Sequence, residues 1–286
     1  MNIVAIGIVS ISSIISREQF DFGTNALARA GFRVKVAPNV VGPDVAPAEE
    51  RARLLESFWL DPEIDMLLFS RGGEGADDVV PLIDWERLRA RPDLPIMGFS
   101  DVTILLNAAL SKGVGHPISG PMLSYAKRLE PGAREWVGAV LGERPLPPVR
   151  VDVLRAVPDG AVVSGLPMGG HVTRLRWLQR GGLLPSARGR VVFLECTAKY
   201  PPAEVRQCLE ALRDGGAFDG ASAVVFCDFR HTGADRAALE SFFPEFAGTL
   251  PCPVFSGFPY GHVPGILALD FRRRLSISPD GALSFE

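Results

Sequence analysis

Residues 98–103 read Gly98-Phe99-Ser100-Asp101-Val102-Thr103, GFSDVT. The apolar Pro95-Ile96-Met97 runs into this stretch and the apolar run Ile104 to Leu110 leaves it. That is the pattern of a strand turning sharply into a helix, with a serine at the corner. Two readings fit. Ser100 is an N-cap, accepting from the amide of Val102 or Thr103. Alternatively it is a nucleophile exposed at the top of a sheet, where a glycine two residues earlier, here Gly98, helps the chain turn tightly. The second glycine of a G-x-S-x-G elbow is absent, since Val102 stands there. Both readings place the serine at a helix N-terminus, where negative charge is favoured.

Working outward, the first half of the chain alternates. NIVAIGIVSI is continuous and β-branched, a buried first strand, and residues 17–30 are helical up to Gly31. FRVKVAP is a second strand, and residues 47–60 form a helix with Pro47 in its first turn. IDMLLFS (64–70) is a third strand, followed by the glycine-rich RGGEGA, a short helix over 76–83 and the strand LPIMGF. Strands alternating with helices predict α/β architecture, a parallel sheet covered on both faces. Residues 1–143 are therefore expected to be one domain, ending in a helix over 131–143.

The prolines of RPLPPVRVDVL open a segment, 144–168, expected to be a linker that also supplies a strand or two. Residues 169–286 read as a second, mixed α/β domain. It has helices at 171–179 and 201–213 and strands RVVFLE, ASAVVFC and PVFSGF. A closing hairpin pairs ILALDFRRRLSIS with ALSFE around Pro279-Asp280-Gly281.

Composition narrows the function. The 286 residues are 47% hydrophobic and 22% charged with a formal charge of −3, which suits a packed core. No block of lysine or arginine offers the basic surface a nucleic acid needs. No apolar run reaches the roughly 18–20 residues of a membrane helix. The N-terminal MNIVAIGIVSISSII lacks the positive region of a signal peptide. Cys196, Cys208, Cys227 and Cys252 lie far apart without a C-x-x-C, so neither a disulfide scaffold nor a zinc ribbon is expected. A reducing cytoplasm is the simplest home.

Four kinds of residue carry the candidate chemistry. SRGGEG (70–75) ends the third strand, at the same carboxyl edge as Ser100, where such sheets bind ligands. Backbone amides around Gly72 and Gly73, with that of Asp101, are placed to receive an oxyanion; an ordinary strand-to-helix turn is the alternative. Glu195 ends the apolar VVFLE, where a carboxylate is costly unless paired or at a sheet edge. Among the four histidines, His231 sits in a polar loop and is expected to be solvated, and His116 is expected to be structural. His171 opens a helix, either touching a ligand or lying near the surface. His262, in the Gly- and Pro-rich GFPYGHVPG, has the setting of a base held by a rigid loop. A hydroxyl, an imidazole and a carboxylate divide the labour of nucleophilic catalysis, and their order along a chain varies between folds.

SRGG (70–73), PLIDW (81–85), PIMGFSDVT (95–103), GPM (120–122), Gly169-Gly170, FLE (193–195) and PYGH (259–262) follow one another as in the LD-carboxypeptidases, the muramoyl-tetrapeptide carboxypeptidases of serine peptidase family S66. The sequence resembles that family from the first strand to the final hairpin. The resemblance implies a Rossmann-like N-terminal domain carrying the serine and a C-terminal β/β/α domain carrying the glutamate and histidine. It also implies a metal-free, cofactor-free peptidase, homodimeric, that removes a terminal D-alanine from wall peptides. Ser100 is then the nucleophile, Glu195 the carboxylate and His262 the base, with the amides of Gly73 and Asp101 as the oxyanion hole. Arg71, Glu74 and His171 are then substrate-binding residues.

Several positions depart from the family. Glu74 stands where Tyr is frequent, Ile118-Ser119 where Thr-His is frequent, and His171 where Asn is frequent. Glu74 is expected to add negative charge beside the site and favour a substrate amine. Relatives resembling the microcin C immunity proteins cleave peptidyl-nucleotides with the same triad, so that substrate class stays open. A non-catalytic ligand-binding protein with Ser100 as a cap is the remaining alternative.

Overall fold

The computed structural model describes residues 3–157 and 160–286, so positions 158 and 159 of the 144–168 segment, and residues 1 and 2 of the first expected domain, lie outside the described residues. The first half builds β1 (Ala5–Val9), α1 (Arg17–Arg29), β2 (Arg33–Val36), α2 (Ala48–Trp59), β3 (Met66–Phe69) and the short α3 (Ala76–Val79) and α4 (Trp85–Leu88). It continues through β4 (Pro95–Gly98), α5 (Thr103–Lys112), β5 (His116–Ser119) and α6 (Pro131–Leu141). The second half builds β6 (Val149–Arg150), β7 (Asp152–Arg155), β8 (Val163–His171), α7 (Val172–Arg180), β9 (Arg190–Glu195), α8 (Pro202–Asp214), β10 (Ala223–Phe226), α9 (Gly233–Thr249) and β11 (Val254–Ser256). It closes with β12 (Leu269–Asp270), β13 (Leu275–Ile277) and β14 (Ala282–Phe285).

The strands form two sheets. In the first the order is β12-β5-β4-β3-β1-β2. The five N-terminal strands run parallel, and β12 is antiparallel at the edge. The β2-β1-β3-β4-β5 order is that of a doubly wound fold, which binds ligands at the carboxyl ends of its strands. In the second the order is β6-β14-β13-β8-β9-β10-β11-β7. Its centre, β8 to β11, is parallel and its flanks are antiparallel. The α/β class with a parallel first sheet and a mixed second one is thus as expected.

Three features differ in detail from the sequence reading. The segment 144–168 contributes β6, β7 and the first part of β8 to the second sheet, because the run Val149-Arg150-Val151-Asp152-Val153 alternates apolar and polar residues and Pro167 is accommodated within β8. The expected last hairpin is split: β13 and β14 pair, but Leu269 and Asp270 leave to extend the first sheet beside β5. The helix α9 had no counterpart in the sequence reading, because Pro244 interrupts the pattern of an uninterrupted helix. Its Leu239, Phe242, Phe246 and Ala247 are nonetheless buried.

α5 decides how the sheets meet. Thr103 to Ala109 are all buried, and a helix apolar on every side is one with protein on every side. It packs on β4 and β5 of its own sheet and on α7 and β8 of the other. Its one buried amide, Asn107, donates to Gly169 O at 2.9 Å and accepts from Gly169 N at 3.3 Å. Elsewhere Tyr260 and Ser119 hydroxyls lie 2.5 Å apart, and His116 Nε2 meets Asp270 Oδ1 at 2.6 Å, which makes His116 a tie between β5 and β12. None of the described helices is long and apolar enough to cross a membrane.

Candidate active site

β4 delivers Ser100 at the carboxyl edge of the first sheet. Its φ is 61°, a left-handed conformation that costs a non-glycine residue on the order of 1 kcal/mol and collects at functional corners. The corner is tight enough to demand Gly98: a Cβ there would lie 2.8 Å from Val102 Cγ1. Val102 is fully buried, filling the place where a second glycine is absent. Among the described residues no amide donates to the Ser100 hydroxyl, and neither Val102 nor Phe99 caps the following turns through a side chain. The capping reading of Ser100 therefore fails.

The hydroxyl instead faces His262. Ser100 Oγ lies 3.0 Å from His262 Nε2, and His262 Nδ1 lies 2.9 Å from Glu195 Oε2. Three residues remote in sequence thus form one hydrogen-bonded chain. Glu195 ends β9, and its neighbour in register on β8 is His171. Its carboxylate is wholly buried. Burial by itself pushes that carboxyl up; the His262 imidazole, with a smaller effect from His171, outweighs burial and holds it below the usual carboxylate range. An ionised Glu195 accepts from Nδ1–H, which leaves Nε2 as the acceptor for the serine proton. The imidazole also packs against Phe99, ring centroids 4.9 Å apart. The loop holding His262 closes only with glycine at 261, where φ is 124° and a Cβ would sit 3.1 Å from Asp228 O.

The RGGEG loop comes up against the serine. A Cβ on Gly72 would lie 3.1 Å from Ser100 Oγ, and one on Gly73 would strike Ser13. Among the described residues the amides of Gly73 and Asp101 donate to no acceptor. Asp101 itself is a hub. Its Oδ2 accepts from Ser12 Oγ at 2.6 Å and from Ala76 N at 2.9 Å. Its Oδ1 is 2.8 Å from Arg174 Nε, an ion pair too bent to count as a hydrogen bond.

Ser100, His262, Gly72, Gly73 and Arg174 line a cleft of about 500 Å³ between the two sheets. Arg71, Glu74 and His171 all line it. Arg71 donates to Ile14 O at 3.2 Å. His171 is buried rather than near the surface, with Thr173 Oγ1 3.0 Å from Nδ1 and Cys196 Sγ 3.8 Å from Nε2. Burial pushes its imidazole down to about 4, so the ring is neutral at ordinary pH. Two expectations need correction. Glu74 is ion-paired with Lys199, which cancels the negative charge it was to present to an amine. His231 is buried, its Nε2 2.7 Å from Tyr200 O, because the loop before α9 packs against the loop before α8.

Sequence reasoning missed several lining residues. Ser13 belongs to the SISS run at the end of β1, legible as a polar run at the carboxyl edge of a parallel sheet. Arg128, Arg174 and Lys199 carry no local signal and reach the cleft only through tertiary folding. With them the lining holds four cationic side chains, Arg71, Arg128, Arg174 and Lys199, against the single carboxylate of Glu74.

The profile of the LD-carboxypeptidase N-terminal domain matches residues 6–118, and that of the LD-carboxypeptidase C-terminal domain matches residues 164–277. The chain belongs to the LD-carboxypeptidase family, serine peptidase family S66. It is 27% identical over 232 residues to the murein tetrapeptide carboxypeptidase of Pseudomonas aeruginosa, covering 75% of this chain and 72% of the relative. Its fold is that of the muramoyltetrapeptide carboxypeptidase of Oxalobacter formigenes, with a TM-score of 0.81 at 22% identity over 98% of both chains. The same fold occurs in MccF bound to glutamyl sulfamoyl guanosine, with a TM-score of 0.84 at 20% identity, covering 100% of this chain and 96% of that one.

Proposed function

We propose that this protein is a serine carboxypeptidase of the LD type, removing a terminal D-alanine from murein tetrapeptides through an acyl-enzyme. The observation that carries the reading is the continuous Ser100–His262–Glu195 chain, at 3.0 and 2.9 Å. Ser100 Oγ attacks the penultimate carbonyl as His262 Nε2 takes the hydroxyl proton. Glu195 holds the imidazole in the tautomer that leaves Nε2 free and steadies the imidazolium. The amides of Gly73 and Asp101 receive the developing oxyanion. Loss of one such donor costs about 10²–10³ in rate in serine peptidases. The tetrahedral species collapses, the C–N bond breaks and His262 returns the proton to the D-alanine amine. Water, deprotonated by His262, then attacks the ester and frees the shortened peptide and the serine. The cationic lining suits a substrate ending in a carboxylate.

That same lining, with the fold shared with MccF, supports a second reading in which the acyl group is an aminoacyl unit on a sulfamoyl or phosphoryl nucleoside. Turnover of a murein tetrapeptide and of an aminoacyl sulfamoyl adenosine, each with wild type and Ser100→Ala, separates the two. The proposal expects release of D-alanine by wild type alone and markedly slower turnover of the nucleoside. Preferential nucleoside cleavage would transfer the assignment to the second reading.

A further inference from the structure

Arg174 lies on α7, in the half of the chain that does not carry the serine. Its Nε pairs with Asp101 Oδ1 at 2.8 Å, and its Nη2 donates to Gly73 O at 3.3 Å. One planar guanidinium from α7 therefore grips both first-sheet segments that flank Ser100. The fork geometry is what allows it, since an ammonium is a point charge on a flexible stem. The Asp101 carboxylate is wholly buried, and the Arg174 side chain is 15% exposed. Burial pushes the Asp101 carboxyl up, and Arg174 offsets part of that. Through its other oxygen Asp101 holds Ser12 and the Ala76 amide, which ties the C-terminal end of the RGGEG loop and the segment after β1 to the Ser100 corner. Glu74 N in turn donates to Ser13 Oγ at 3.3 Å. The Gly73 and Asp101 amides are thereby set relative to Ser100 before any substrate arrives.

We propose that Arg174 is a positioning residue, a strap from the second half of the chain that holds the two oxyanion-binding amides at their distance from the nucleophile. The inference rests on reading Ser100 as an acylated nucleophile. Arg174 is engaged by the Asp101 carboxylate and the Gly73 carbonyl, both beside the nucleophile, whereas among the described residues Arg71 is held only by Ile14 O.

The test compares wild type, Arg174→Met and Arg174→Lys in the full-length protein. It measures the rate of Ser100 labelling by an uncharged fluorophosphonate, kcat and KM on a murein tetrapeptide, and the melting temperature. Displaced rather than deleted donors should cost about 10- to 100-fold in labelling rate and in kcat, with KM within about threefold. Lysine keeps the pair with Asp101 and loses the bond to Gly73, so it should fall between wild type and methionine. Added guanidinium ion should restore part of the methionine variant's labelling, which a purely structural role would not predict. Unchanged labelling in both variants, or a rise in KM with kcat intact, overturns the proposal; the latter would make Arg174 a substrate contact. Should Arg174→Met fail to fold, the lysine variant alone decides by the same measures. A wild type that is labelled at Ser100 but leaves the tetrapeptide intact sinks the carboxypeptidase reading, and labelling still judges the strap. A wild type that is not labelled sinks both.

Discussion

Ser100 spends conformational energy to be where it is, and its neighbours are shaped around that position. Gly72 shows how closely. A methyl group there would lie 3.0 Å from Ser100 Cβ and 3.1 Å from Oγ, so the serine has to move and its hydrogen bond to His262 with it. Gly72→Ala is expected to lower kcat about tenfold or more while leaving the melting temperature near wild type; a kcat unchanged by the methyl would contradict this packing. His171 gives a second prediction at the same scale. Its imidazole is ordinarily half protonated near 6.5, and burial lowers that to about 4. Below pH 6.5 the unfolded chain takes up a proton that the folded ring refuses. The stability this histidine contributes is therefore complete above pH 6.5 and is lost as pH falls towards 4. The loss is on the order of 3 kcal/mol. Urea unfolding at pH 7 and near pH 4 should show His171→Asn losing less stability than wild type by roughly 2–3 kcal/mol. Parallel pH profiles would mean that the ring is not held neutral by burial.

At the scale of elements, the joint between the sheets is α5 against β8. Asn107 satisfies both the carbonyl and the amide of Gly169, so Asn107→Leu would leave a buried donor and acceptor unpaired. We expect a loss of about 2–4 kcal/mol in denaturant unfolding. A loss within experimental error would show that α5 docks by apolar packing alone. The same elements show what a sequence discloses. β1, β3, β4 and β9 are legible because they are buried on both faces and read as unbroken apolar runs. The Ser100 corner is legible because the turn constrains its own residues locally. The position of β12 is not, since two residues beside β5 owe their pairing to a strand about 150 positions away. α9 is hidden by Pro244, although the helix continues through it. Glu195 and His262 stand out as chemical oddities in their segments, but their meeting with Ser100 is a tertiary fact. The cancellation of Glu74 by Lys199 is another, with 125 positions between the partners.

At the scale of the molecule, the site is a seam. Ser100 and the RGGEG loop come from the first sheet, and Glu195, His262 and Arg174 from residues of the second half, so neither half alone contains the chemistry. The cleft between them is cationic, and a cation-lined cleft gathers anionic ligands through a field that salt screens. Raising ionic strength from about 0.02 to about 0.5 M should raise KM for the tetrapeptide severalfold with little change in kcat; a KM indifferent to salt would remove electrostatics from substrate capture. The central claim is that Ser100 and His262 act as one unit. The most direct measurement is kcat/KM for Ser100→Ala, His262→Ala and the double variant under saturating assay sensitivity. Residues that share a single step are non-additive, so the double variant should be about as slow as either single variant. Losses that multiply, with His262→Ala costing its full factor again in the Ser100→Ala background, would show that the two side chains act independently and would contradict the account.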